Sequence, residues 1–163
     1  MRLYKKASGV PSIDYGQALE AALCWGFIDA QKRSLDDLSW IQRFCPRRSR
    51  SKWSKINRDK ALALIAADKM QPSGLVQVQQ AQADGRWDAA YDSPRNATVP
   101  DDLATALAAD PKASAFFQAL NAANRYAILY RVQTVKKAET RARRIRELVA
   151  VYPRRKAASM NVP

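Results

Sequence analysis

Apolar residues recur at helical spacing through much of the chain. Tyr15, Ala18, Leu19, Ala22 and Leu23 fall at i, i+3, i+4, i+7 and i+8, one face of a helix. Asp14 precedes them and Gln17 follows three residues later, a capping-box pattern that fixes the start. Gly26 breaks the helix, Phe27 and Ile28 continue the apolar run, and Asp29 follows at once. Leu35 to Ile41 reads as a short helix or turn. Pro46 then stops regular structure and opens a basic loop over 46–54. Asn57 is the expected N-cap of the next helix, with Ile56 and Ala61 as a weak staple and Leu62, Leu64, Ile65 and Met70 on the buried side.

Pro72 suits the first position of another helix, which Asp84-Gly85 ends. Residues 86–99 carry Trp87, Tyr91 and Pro94 with no period and read as an ordered loop. Pro100-Asp101-Asp102 and Asp110-Pro111 open two helices, because a fixed proline φ and acidic groups both suit a helix start. A longer helix is expected over about 122–135 and a last one over about 138–152. Near the start, Leu3 and Tyr4 alternate weakly with charged neighbours. They predict one short strand, whose partner lies either in an unrecognised hairpin or in a missing upstream piece. The expected fold is mainly α: a single compact multi-helix domain over 1–153 with at most a small N-terminal strand element, followed by a frayed basic tail over 154–163.

Composition narrows the chemistry. The chain has 163 residues and no histidine, which removes Ser-His-Asp and Cys-His nucleophiles and the common histidine-bearing zinc sites. The two cysteines, Cys24 and Cys45, form no CxxC and sit among apolar neighbours, so they read as reduced, buried thiols. No glycine-rich phosphate loop occurs, and the acidic pairs Asp36-Asp37 and Asp101-Asp102 diverge rather than converge. No catalytic set, metal site or cofactor is expected. No apolar run is long enough to span a membrane and no leader is evident at the start, so the expected location is cytoplasmic.

Charge is the unusual quantity, at +13 net. Residues 1–60 hold 13 basic and 6 acidic side chains, 61–130 hold 5 and 7, and 131–163 hold 10 and 2. Two basic blocks therefore flank a nearly neutral middle. In the first, Arg43, Arg47, Arg48, Arg50 and Lys52 are interleaved with Phe44 and Trp53, and Ser51, Ser54 and Asn57 add neutral hydrogen-bonding groups. Guanidinium forks match phosphate and carboxylate geometry, and an aromatic ring can stack on a base or a guanidinium. The alternative is a solvated basic loop anchored to the core by Phe44 and Trp53. In the second block, Ala142, Ile145, Leu148, Val149 and Tyr152 form one stripe, and Arg141 falls inside it with Arg144 at its border. An inward arginine needs an anion or carbonyls. Arg141 therefore either pairs with an internal carboxylate such as Asp29 or, with Arg144, holds an external anion.

Three stretches carry a resemblance. They are Ala22-Leu23-Cys24-Trp25-Gly26-Phe27-Ile28-Asp29; Gln42-Arg43-Phe44-Cys45-Pro46-Arg47-Arg48, continuing to Ser51-Lys52-Trp53-Ser54-Lys55-Ile56-Asn57; and Asn124-Arg125-Tyr126-Ala127-Ile128-Leu129-Tyr130-Arg131, continuing to Glu139-Thr140-Arg141-Ala142-Arg143-Arg144-Ile145. In order and spacing the chain resembles the bacterial bacteriocin-protection, YdeI/OmpD-associated family. One departure is Ala30, where the family carries a glycine after the aspartate. The resemblance implies a role in bacterial stress or bacteriocin tolerance and carries over no catalytic residue.

The leading expectation is a non-enzymatic protein that binds an anionic small molecule, bearing phosphate or carboxylate, in an arginine-rich pocket where the 43–57 loop meets the last two helices. The candidate ligand-binding residues are Asp29, Arg43, Arg47, Arg48, Ser51, Trp53, Ser54, Asn57, Arg125, Arg141 and Arg144. Sequence-independent nucleic-acid binding through the basic surface is the alternative. A histidine-free enzyme using arginines against an anionic transition state stands third.

Overall fold

The computed structural model describes residues 1–151. Tyr152 and the expected 154–163 tail lie outside the described residues. The chain divides into two compact units, Met1–Ala90 and Tyr91 onward.

The first unit opens with β1 (Arg2–Tyr4), a 3-10 turn (Lys6–Ser8) and α1 (Tyr15–Cys24). The α1 start is the expected capping box: the Asp14 carboxylate accepts from Gln17 N–H at 2.8 Å, and the Gln17 side chain accepts from Asp14 N–H at 2.9 Å. β2 (Phe27–Ser34) and β3 (Ser39–Pro46) follow, then α2 (Lys55–Ala66) and α3 (Pro72–Ala83). The strands form an antiparallel sheet in the order β1-β3-β2. This overturns the expectation of a mainly α chain with at most a small strand element, since β2 and β3 are each eight residues long. Residues 35–41, expected as a short helix or turn, form the hairpin connection and the start of β3. The partner of β1 is β3, with Leu3 opposite Trp40.

A register shift interrupts the β2–β3 ladder between Asp29 and Lys32. There the buried Gln42 amide donates to the carbonyls of Arg43 at 3.2 Å and Ala30 at 3.4 Å, occupying backbone acceptors that the ladder has left. The core of this unit joins Leu19 and Leu23 of α1, Ala61 and Leu64 of α2, Val78 and Ala81 of α3, and the loop residues Trp53 and Trp87, with Phe44 of β3 packed on it. At Gly26 (φ +79°) three segments meet. Arg47 N–H donates to the Gly26 carbonyl at 3.0 Å, Gln71 N–H to the Cys24 carbonyl at 3.0 Å, and the Ser73 hydroxyl to the Trp25 carbonyl at 3.1 Å. The start of α3 thus satisfies carbonyls left open at the end of α1.

The second unit holds α4 (Asp101–Ala108), α5 (Pro111–Ala119), α6 (Ala122–Gln133) and α7 (Ala138–Val151), near the positions the sequence predicts. Asp110 caps α5 through Lys112 and Ala113 N–H, and Asn121 caps α6 through Asn124 N–H. Leu103, Phe117, Ile128, Leu129, Val132, Ile145 and Leu148 form its core. Among the described residues no helix is long and apolar enough to cross a membrane.

Candidate functional site

Where β3 ends, the chain forms an arch rather than an open loop. Arg47 is 6% exposed, its guanidinium lies 3.5 Å from the Trp53 ring centroid, and its Nη1 donates to the Lys52 carbonyl at 3.2 Å. Trp53 is 2% exposed and meets Trp87 edge-on at 4.9 Å. Arg86, which sequence reasoning passed over, supports the same arch: it grips Asp84 with Nε at 2.7 Å and reaches the Ser51 carbonyl with Nη1 at 2.9 Å. Its only sequence signal is its place just after the Asp84-Gly85 stop. The arch is closed locally by the Ser51 hydroxyl, which accepts from Arg48 N–H at 3.0 Å.

Ser54 and Asn57 are also placed by local chemistry. Ser54, rather than Asn57, is the N-cap of α2; its hydroxyl accepts from Asn57 N–H at 3.2 Å. Asn57 stands one turn inside the helix and is buried. The expected cap fails because Lys55 and Ile56 already take helical conformation, which moves the helix start three residues earlier.

The exposed arginines that sequence reasoning singled out in this unit lie on the sheet and the arch. Arg2 and Arg33 both stand opposite Ile41, so the three share one row and one face, and Arg43, two residues along β3, shares that face. Arg2 is engaged: it pairs with Asp36 at 2.9 Å, donates to the Ser39 hydroxyl at 3.0 Å and sits 4.6 Å from the Tyr4 ring centroid. The Ser39 hydroxyl, above all, and then the Leu38 N–H and Arg2, hold the Asp36 carboxyl below the usual aspartate range. The side chains of Arg33, Arg43, Arg48 and Arg50 are exposed and make no hydrogen bond or ion pair among the described residues.

Asp29 lies on the opposite face of the sheet, toward α1. It accepts from the Tyr15 hydroxyl at 2.9 Å rather than from an arginine. Partial burial first, and then this contact, hold the Tyr15 hydroxyl well above its ordinary pKa. Cys24 and Cys45 are both free and half-buried, and burial pushes the Cys24 thiol up, away from the nucleophilic thiolate.

In the second unit, Arg125 donates to the Gln118 and Leu120 carbonyls at 3.0 and 3.1 Å, closing the end of α5. Arg141 takes the internal-carboxylate alternative, with Asp102 in place of Asp29. Its Nε and Nη2 reach the two Asp102 oxygens at 2.6 and 3.0 Å, and its Nη1 donates to the Val132 carbonyl at 2.8 Å. This fork joins the start of α4, the end of α6 and α7, and it holds the Asp102 carboxyl below its ordinary pKa. Arg144 is exposed and lies 3.6 Å from Glu147. Nearby, burial first and then Tyr91, Tyr130 and Asp92 push the Tyr126 hydroxyl up to about 12.

The candidates therefore divide between the units: Asp29 and the 43–57 set belong to the first, and Arg125, Arg141 and Arg144 to the second. Among the described residues no group of three Cys, Asp or Glu side chains is placed to hold a metal ion.

Two family models match the chain. Residues 96–152 match the family described as "Bacteriocin-protection, YdeI or OmpD-Associated", in keeping with the resemblance drawn above. Residues 1–77 match a domain of unknown function, DUF8412. The third stretch that carries the resemblance falls in the first match, and the other two fall in the second. No curated protein and no solved structure matches the chain.

Proposed function

We propose that this protein is a non-enzymatic binding protein of the bacteriocin-tolerance kind, which engages a phosphate-bearing ligand through the exposed arginines of its first unit. The observation that carries the reading is a division of labour. Arg47, Arg86, Arg125 and Arg141 are bound to carbonyls, an aromatic ring or a carboxylate, whereas Arg33, Arg43, Arg48 and Arg50 present exposed forks. An exposed guanidinium has little desolvation to overcome and matches phosphate oxygens two at a time.

The test is titration calorimetry of the whole chain with inorganic tripolyphosphate at low salt. R33A/R43A should weaken binding about tenfold, or roughly 1.4 kcal/mol. Unchanged affinity in that variant overturns the reading.

The shared sheet face of Arg33 and Arg43, with a net charge of +13, favours a second reading: sequence-independent nucleic-acid binding. It predicts an affinity for duplex that falls with salt on a log–log plot, with a slope of about −0.9 per phosphate neutralised. A flat salt response removes it.

A further inference from the structure

A cleft of about 740 Å³ opens in the first unit where β1 runs through the 3-10 turn into α1. Its size falls within the roughly 300–1,000 Å³ of small-molecule sites. Two aromatic side chains line it, Tyr15 and Trp40, together with Lys5 and Lys6; Tyr4 borders it from β1 but turns its ring to the other face of the sheet, beside Arg2. Trp40 is half-buried, so its ring is held by the fold, and Tyr15 is fixed by its hydrogen bond to Asp29. Lys32 adds a third ammonium, 4.8 Å from the Trp40 ring centroid.

The carboxylates nearby are already engaged. Asp14, which also lines the cleft, caps α1 through Gln17 N–H at 2.8 Å, and Asp29 holds the Tyr15 hydroxyl at 2.9 Å. Lys5 and Lys6 are exposed, and their side chains have no partner among the described residues.

Aromatic walls favour a planar ring through offset or edge contacts, and free ammonium groups at the rim favour an acid on that ring. We propose that this cleft binds a planar aromatic ring carrying a phosphate or carboxylate. The ring lies between Tyr15 and Trp40, and the acidic group meets Lys5 and Lys6. The site is separate from the Arg33 and Arg43 surface and does not depend on it.

The test is an amide NMR titration of the full chain with adenosine monophosphate, phenyl phosphate, benzoate and inorganic phosphate. At least one ring-bearing acid should shift the Gly9, Tyr15 and Gly16 amides saturably, and inorganic phosphate should not. Y15A and K5A/K6A alter exposed side chains and should keep the fold by circular dichroism while weakening binding at least fivefold; R33A/R43A should leave it unchanged. Three results overturn the proposal. No ring-bearing acid moves these amides at millimolar concentration, inorganic phosphate moves them as strongly, or both cleft variants bind as the parent does.

Discussion

The Arg47 guanidinium lies over the Trp53 ring, 3.5 Å from its centroid, and both side chains are more than nine-tenths closed to solvent. A cation on an aromatic face is worth about 2 kcal/mol or more once water is excluded. The contact turns the most basic stretch of the chain into a structural arch. The side chains that remain open to a ligand are its neighbours Arg43, Arg48 and Arg50.

Arg47→Ala should therefore cost about 2–4 kcal/mol, from lost stacking, a lost carbonyl contact and a buried void. Arg47→Lys should recover less than half of this, because an ammonium has no planar fork to lay on the ring. Urea denaturation followed by tryptophan fluorescence measures both. Equal stability of the Ala variant and the parent would show the stack to be idle.

Gly74 and Gly9 should respond very differently to the same methyl group. A Cβ at Gly74 would fall on the Cys24 carbonyl oxygen and the Met70 sulfur, where the α3 start is pressed against the α1 end. Backbone cannot yield cheaply there, so G74A should lose about 2–3 kcal/mol through overpacking. At Gly9 (φ +69°) nothing lies within 4 Å, so G9A should lose only the roughly 1–2 kcal/mol of left-handed strain. Thermal melts of the two variants rank them.

Ser54→Ala should cost about 1 kcal/mol by uncapping α2, and Ser54→Asp should restore most of it. Tripolyphosphate affinity measured on the same S54A protein separates capping from ligand contact. A capping role leaves affinity unchanged while the melting temperature falls.

The Arg141–Asp102 fork predicts a specific acid sensitivity. The Asp102 carboxyl is held below its ordinary value, first by the Arg141 hydrogen bonds. A depressed carboxylate contributes stability above the unfolded aspartate pKa of about 3.9, and loses it as pH falls through the lower folded value. Both side chains are partly exposed, so the contribution at neutral pH is at most about 1 kcal/mol. D102N should remove that increment at pH 7 and show a shallower loss of stability below about pH 4. A double-mutant cycle with R141A, run at pH 7 and pH 3, should show weaker coupling at the lower pH.

The sequence by itself determined the helices and most of their ends. Asp14-Gln17, Pro72, Asp110-Pro111 and the Tyr15-to-Leu23 stripe act within one or two turns, so their signals are local. It also placed Arg141 inside the apolar stripe of the last helix, whereas it left Trp53 open between a ligand contact and the core anchor that the structure makes it. Only the tertiary structure decided the sheet. β2 reads Phe-Ile-Asp-Ala-Gln-Lys-Arg-Ser, with no alternation to mark a strand, and it is held by ladder bonds to β3. β1 pairs with residues more than thirty positions away, a contact that no local pattern announces. The partners of the charged groups were equally hidden. Asp29 meets Tyr15, and Arg141 meets Asp102 across 39 residues, because an ion pair follows the distance between side chains after packing rather than their order along the chain.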